Sequence, residues 1–214
     1  MSSLEAQNKV AGALVDLVAA AVGSGRAVHP ETAIASASRL SGSLLLRSFN
    51  FNDQGLEPGS VLLSERANEE GPQLINILSA AIQSFGVNLD KGKLGGGGEL
   101  RGEVPKLTVV QSLELLQDDA LSIASKSGLG PKEAAQCAAL ATAFIVKECA
   151  QNIGGEVGFN VAVYGFLEGS KTVPPMLRDN RSSVSDQGNS FRVDGSKLAP
   201  KPKPRPWWRF RAKP

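Results

Sequence analysis

The sequence predicts an all-α protein: a compact bundle of about six helices followed by a disordered, basic C-terminal tail. Two observations carry that expectation. Over most of the first 170 residues apolar side chains recur at three- and four-residue steps, the spacing of one helix face. Glycines and prolines fall where such stripes stop and start. The composition fits, since the apolar share of 42% is mostly Ala, Leu, Val and Ile and aromatics make up only 5%. Small side chains on neighbouring helices let their backbones approach closely.

The first stripe runs over Leu4–Val22 and uses Leu4, Ala11, Leu14, Val15, Val18 and Val22. Gly23 and Gly25 end it. A second helix starts at His29-Pro30-Glu31. Proline suits the first helical turn, and Glu31 complements the positive helix end. Its stripe is Ala33, Ala37, Leu40, Leu44 and Phe49. Gly42 and the serines at 36, 38, 41 and 43 predict a narrow middle and a close crossing. Asn50–Gly59 is turn-rich. A third helical segment is expected from near Pro58 through SVLLSERANEE, broken or kinked at Gly71-Pro72. It resumes over Gln73–Phe85.

Gly95–Gly98 are four consecutive glycines, and they make Gly86–Lys106 a loop and the best internal boundary. Leu107–Ser125 forms the next helix, closed by Gly128 and Gly130. Pro131 opens another, PKEAAQCAALATAFIVKECAQNI, apolar on most sides and expected to be the central buried helix. The last, Glu156–Glu168, holds Gly158 and Gly165. Each costs roughly 1 kcal/mol against Ala inside a helix, a cost that close packing would offset. The expected organisation is a helical domain over 1–175, readable as halves 1–86 and 106–175, and a linker and tail over 176–214. Residues 40–47 and 140–147 echo one another faintly at an offset of 100.

The formal net charge of +2 conceals an asymmetry. Residues 1–176 carry 13 basic and 18 acidic side chains, whereas residues 197–214 carry seven basic and no acidic ones. An acidic body with a basic arm predicts that the arm meets an anionic surface or its own body. Within the arm, Trp207, Trp208 and Phe210 interleave with Arg205, Arg209 and Arg211. Prolines alternate with basic residues before them and favour polyproline II. Three occupants suit such a segment: anionic lipid, single-stranded nucleic acid, and a protein groove. In composition PRPWWRFR resembles short Trp/Arg-rich cationic peptides that act on membranes.

Chemistry in the body is sparse. His29 is the single histidine, which excludes multi-histidine metal sites and suits a helix cap. No phosphate-loop motif and no CxxC pair occurs. Cys137 and Cys149 lie twelve residues apart in one helix, roughly 18 Å and beyond disulfide reach. Two unpaired thiols predict a reducing, cytoplasmic compartment. Asp16 interrupts the first apolar stretch, which makes a poor signal peptide, and Ala138–Val146 is too short to span a bilayer. The acidic residues at 65, 69, 70, 118 and 119 read as charged faces.

The leading expectation is therefore a non-enzymatic helical interaction or adaptor protein. Its tail residues Arg205, Trp207, Trp208, Arg209, Phe210 and Arg211 bind an anionic surface or a protein partner. No catalytic residue, metal or cofactor is assigned, and oligomerisation is left open. The alternative is an enzyme or small-ligand binder with a pocket between the last two helices, lined by Glu148, Glu156, Asn160 and Tyr164 and closed by the glycine loop.

Overall fold

In the computed structural model, the described residues are 3–23, 28–50, 55–95 and 102–178. They form six α-helices and no strand: α1 (Ser3–Val22), α2 (Pro30–Arg47), α3 (Glu65–Ser84), α4 (Val109–Lys126), α5 (Pro131–Ile153) and α6 (Gly155–Ser170). The protein is all-α. Residues 1–175 make one compact unit, and a second unit spans 176–214. The tail residues Arg205–Arg211 lie outside the described residues.

The helix at the centre is α2, not α5. Sixteen of the 18 residues of α2 are buried, against 11 of the 23 in α5. The serines hide this in the sequence because they look polar, yet most satisfy themselves locally or across a helix crossing. Ser38 Oγ donates to the Ala35 carbonyl (3.1 Å) and Ser41 Oγ to the Ala135 carbonyl of α5 (2.9 Å). Ser36 Oγ meets Ser112 Oγ of α4 at 3.2 Å. A hydroxyl paired in this way packs at little cost where a larger side chain would not fit. Ser43 Oγ is buried and has no hydrogen-bond partner among the described residues.

Small size at these positions serves the crossing of α2 with α6, the most extensive helix contact in the molecule. A Cβ added at Gly42 would stand 2.3 Å from the Phe166 carbonyl oxygen. One at Gly165 would stand 2.2 Å from Ser38 Oγ, and one at Gly169 2.0 Å from the Arg39 carbonyl oxygen. These three glycines let the two backbones touch, whereas Gly158 packs against the side chains of Val146 on α5 and Ile34 on α2. The expected offset is thus close contact with α2 for Gly165 and side-chain packing for Gly158.

The halves 1–86 and 106–175 do not keep to themselves. The broadest contacts of α2 are with α5 and α6, and α3 and α1 both pack on α5. The two Cys-bearing turns of α5 are buried, and both thiols are free.

Two segments differ from the sequence expectation. Residues 60–63 are extended rather than helical. Val61 bridges antiparallel to Thr172, with Leu62 N–H donating to Lys171 O (2.8 Å) and Val173 N–H to Ser60 O (2.9 Å). That pairing satisfies backbone groups at the end of α6, and α3 begins only at Glu65, capped by Ser64 Oγ accepting from Ala67 N–H. The second difference is that Gly71-Pro72 does not break α3, which runs through it. Pro72 and Asn68 both face solvent, so the Asn68 carbonyl freed by the missing N–H can take water. Gly71 faces inward, where the Phe166 ring would lie 3.2 Å from a Cβ. At the other junction one residue, Gly154 with φ +86°, turns α5 directly into α6.

Candidate functional site

Three polar arrangements tie loops to this helical frame, and a cleft lies beside one of them. The first is at the start of α2. His29 occupies the N-cap, and its Nδ1 accepts from Thr32 N–H (3.3 Å) and lies 2.9 Å from Thr32 Oγ1. A ring nitrogen that accepts carries no proton, so the proton resides on Nε2, which donates to Glu103 Oε2 (3.0 Å). Glu31, 4% exposed, accepts from Glu103 N–H through Oε1 (3.1 Å), and its Oε2 lies 3.6 Å from His29 Nδ1. Thr32 Oγ1 also accepts from Lys106 N–H (2.9 Å). Residues 103–107 are thereby strapped along α2. The strap continues to Arg39, whose Nη1 donates to Leu107 O (2.7 Å) and Ser112 Oγ (3.3 Å) and whose Nε donates to Glu168 Oε2 (2.8 Å). Arg39 is 5% exposed, so these bonds are what allow its charge to sit inside.

The second arrangement fixes the end of the compact unit. Arg47 Nη2 donates to Gln117 Oε1 (2.9 Å) and to the Pro175 carbonyl (2.6 Å), which also accepts from Gln117 Nε2 (2.8 Å). Gln117 is fully buried. The carbonyl of Pro175, the last residue of the compact unit, is therefore held by one side chain of α2 and one of α4.

The third arrangement involves the residues expected to line a pocket. Asn160, 2% exposed, accepts from Gly95 N–H (3.1 Å) and donates to Lys93 O (3.5 Å). Glu156 Oε1 accepts from Asp90 N–H (3.1 Å). That backbone hydrogen bond holds the Glu156 carboxyl below the usual range. Both residues thus fasten the loop after α3 onto α6. The other two stand elsewhere: Glu148 pairs with Lys147 at 2.5 Å, and Tyr164 is exposed on α6. The structure brings Glu156 and Asn160 to one loop, while Glu148 and Tyr164 have other surroundings.

Burial raises both thiols. Cys137 and Cys149 are each pushed up to about 11, Cys149 with the Glu31 and Glu148 carboxylates adding to the effect. The carboxylates at 65 and 69 are exposed, and Glu70 pairs with Lys132 (2.7 Å) and Arg66 (3.6 Å). The hydrogen bond from Lys132 draws the Glu70 carboxyl down. Among the described residues no group of three or more His, Cys, Asp or Glu side chains is placed to hold a metal ion. No helix among them is long and apolar enough to cross a membrane.

A cleft of about 420 Å³ opens between the end of α1, the start of α2 and the strap. Val22, Leu107 and Leu115 supply apolar wall, and His29, Thr32 and Lys106 supply the polar groups. A second cavity, among Ser38, Leu74, Thr142 and Phe166, measures about 10 Å³ and is at most water-sized.

Sequence reasoning found His29 as a cap but missed Arg39, Arg47, Gln117 and Lys106. A signal existed for the two arginines. They stand eight residues apart in a helix of small and apolar residues, where a charge must find partners.

Fold and sites together define an all-α protein organised on one buried, serine-rich helix that anchors its loops by side-chain hydrogen bonds. No protein-family model, no curated protein and no solved structure matches the chain.

Proposed function

We infer that this is a helical interaction protein that attaches to an anionic lipid surface through its C-terminal segment, chiefly Arg205, Trp207, Trp208, Arg209 and Arg211. The observation that carries the reading is the composition of residues 197–214: seven basic side chains, no acidic one, and three large aromatics within four positions. Indoles favour the headgroup layer and arginines pair with phosphates. Each basic residue near such a surface contributes about 1 kcal/mol, and stable attachment needs two signals, here charge and aromatic burial.

The test is co-sedimentation of the full chain, and of a chain ending at Ser196, with phosphatidylserine-containing and pure phosphatidylcholine vesicles. The full chain should pellet with the anionic vesicles only, and less as salt rises. The shortened chain should stay in solution with an unchanged melting temperature. Equal behaviour of the two chains would overturn the reading. So would salt-dependent binding of single-stranded DNA without vesicle binding, which would assign the segment to nucleic acid.

A further inference from the structure

Residues 60–64 present a strand edge paired on one side only. Ser60 C=O and Leu62 N–H face 171–173, where they bond Val173 N–H (2.9 Å) and Lys171 O (2.8 Å). Successive residues of an extended chain turn their backbone groups to opposite sides, so those of Val61 and Leu63 point away from 171–173. No backbone hydrogen bond occupies them among the described residues. Ser64, at φ −128° and ψ 121°, keeps the segment extended up to α3. Val61 is 77% exposed and Leu63 79%, and two positions apart their side chains stand on one face of the strand. Open ladder groups beside two apolar side chains form a template for one more strand.

Charge selects the occupant. Glu57 stands at the turn into the strand, its carbonyl accepting from Ser60 N–H (3.1 Å). Glu65 opens α3 directly after the strand, and Glu69 follows one turn on. All three are exposed, and none has an ion pair among the described residues. Arg66 is engaged by Glu70 (3.6 Å) and by the Phe49 ring (4.6 Å to its centre). Within 57–69 and 171–173 that leaves Lys171 as one positive charge against three negative ones. A second copy paired antiparallel through this edge would bring Glu57 of one protomer close to Glu65 of its partner at both ends of the ladder, a like-charge contact that disfavours it. We propose that the edge formed by Val61 and Leu63 binds an extended, basic peptide segment of another protein. The segment adds a strand, lays apolar side chains at alternate positions over Val61 and Leu63, and sets lysines or arginines near Glu57 and Glu65.

The probe is a capped seven-residue peptide alternating lysine and valine, with glutamate in place of lysine in its acidic counterpart. Amide hydrogen exchange of the full chain, followed by nitrogen-correlated NMR, reads the site. The Leu62 amide is already bonded. The basic peptide should bind saturably and slow exchange at Val61 and Leu63 about tenfold or more, an alternating pattern that only strand addition gives. Added salt should weaken it, and the acidic peptide should not bind.

Two variants separate the ladder from the charges. Val61→Pro removes an outward donor and keeps the bonds to 171–173, a placement that edge strands tolerate. It should weaken the basic peptide about three- to tenfold. Glu57→Gln combined with Glu65→Gln should weaken it about two- to fivefold per charge and flatten the salt dependence. Melting curves of both should match the parent. Absence of saturable binding, equal binding of the two peptides, or binding that leaves Val61 and Leu63 exchange unchanged would each overturn the proposal. So would unchanged affinity in the glutamine variant. Slowed exchange at the same two amides on raising the protein concentration without peptide would assign the edge to a second copy instead.

Discussion

Adding one methyl group to Gly169 should destabilise the protein, although alanine is the better helix former. The Cβ would stand 2.0 Å from the Arg39 carbonyl oxygen, 2.7 Å from its carbon and 2.8 Å from its Cα, where an ordinary contact begins at 3.4 Å. All three atoms belong to the backbone of a buried helix, so no side chain can swing away. The helices must part locally by more than an ångström, which loosens the seam that Gly42 and Gly165 also close. Overpacking of this kind costs typically about 1–3 kcal/mol, and the rigidity of both partners puts this case at the upper end. Helix propensity returns about 1 kcal/mol. The net expectation is a loss of about 2 kcal/mol, or a melting temperature lower by roughly 4–8 °C for a chain of this size.

Gly12→Ala is the matched control. Gly12 lies on the exposed face of α1 with nothing within 4 Å of the added carbon, so it should gain about 0.5–1 kcal/mol. Urea unfolding followed by circular dichroism measures both, and an unchanged slope would show that stability alone has moved. Gly169→Ala equal to or more stable than the parent would refute the reasoning about the α2–α6 seam.

Other expectations follow from the polar anchors and the thiols. The Glu156 carboxyl sits below its ordinary 4.5 in the folded chain, so its contribution is complete above that value and is lost as pH falls through the lower folded one. The stability advantage of the parent over Glu156→Gln should therefore shrink on acidification below about 4.5, and urea midpoints taken across that range will show whether it does. Replacing Arg39 by Met leaves the Leu107 carbonyl and Ser112 hydroxyl without their donor, which should cost about 1–3 kcal/mol and speed amide exchange along residues 102–108. With both thiols pushed to about 11 and buried, Cys137 and Cys149 should resist alkylation at pH 8 and react once the protein is unfolded. Rapid labelling of the native chain would contradict their placement.

Much of the fold was legible because local rules decide it. The starts of α2 and α5 lie at Pro30 and Pro131, the cap function of His29 follows from its place before a proline, and the small residues of α2 and α6 announced a close crossing. What escaped depends on partners distant in sequence. Serines made α2 look half-exposed, and only the helices around it show that they are buried. Residues 60–63 have helical spacing but are drawn into pairing with 171–173, more than a hundred positions away. Pro72 reads as a helix breaker because the sequence does not say that its freed carbonyl faces water. Among the pocket candidates, Glu156 and Asn160 are bonded to partners far from them in sequence. Those partners are the backbone amides of Asp90 and Gly95, in a glycine-rich loop whose path no periodicity could give.

The attachment reading has one direct test, because Trp207 and Trp208 are the only tryptophans in the chain. Tryptophan emission therefore reports on the C-terminal segment alone. Titrating the full chain with phosphatidylserine-containing vesicles at low salt should shift that emission to the blue, and added salt should reverse the shift. Emission that stays at its solution wavelength throughout the titration would contradict the account.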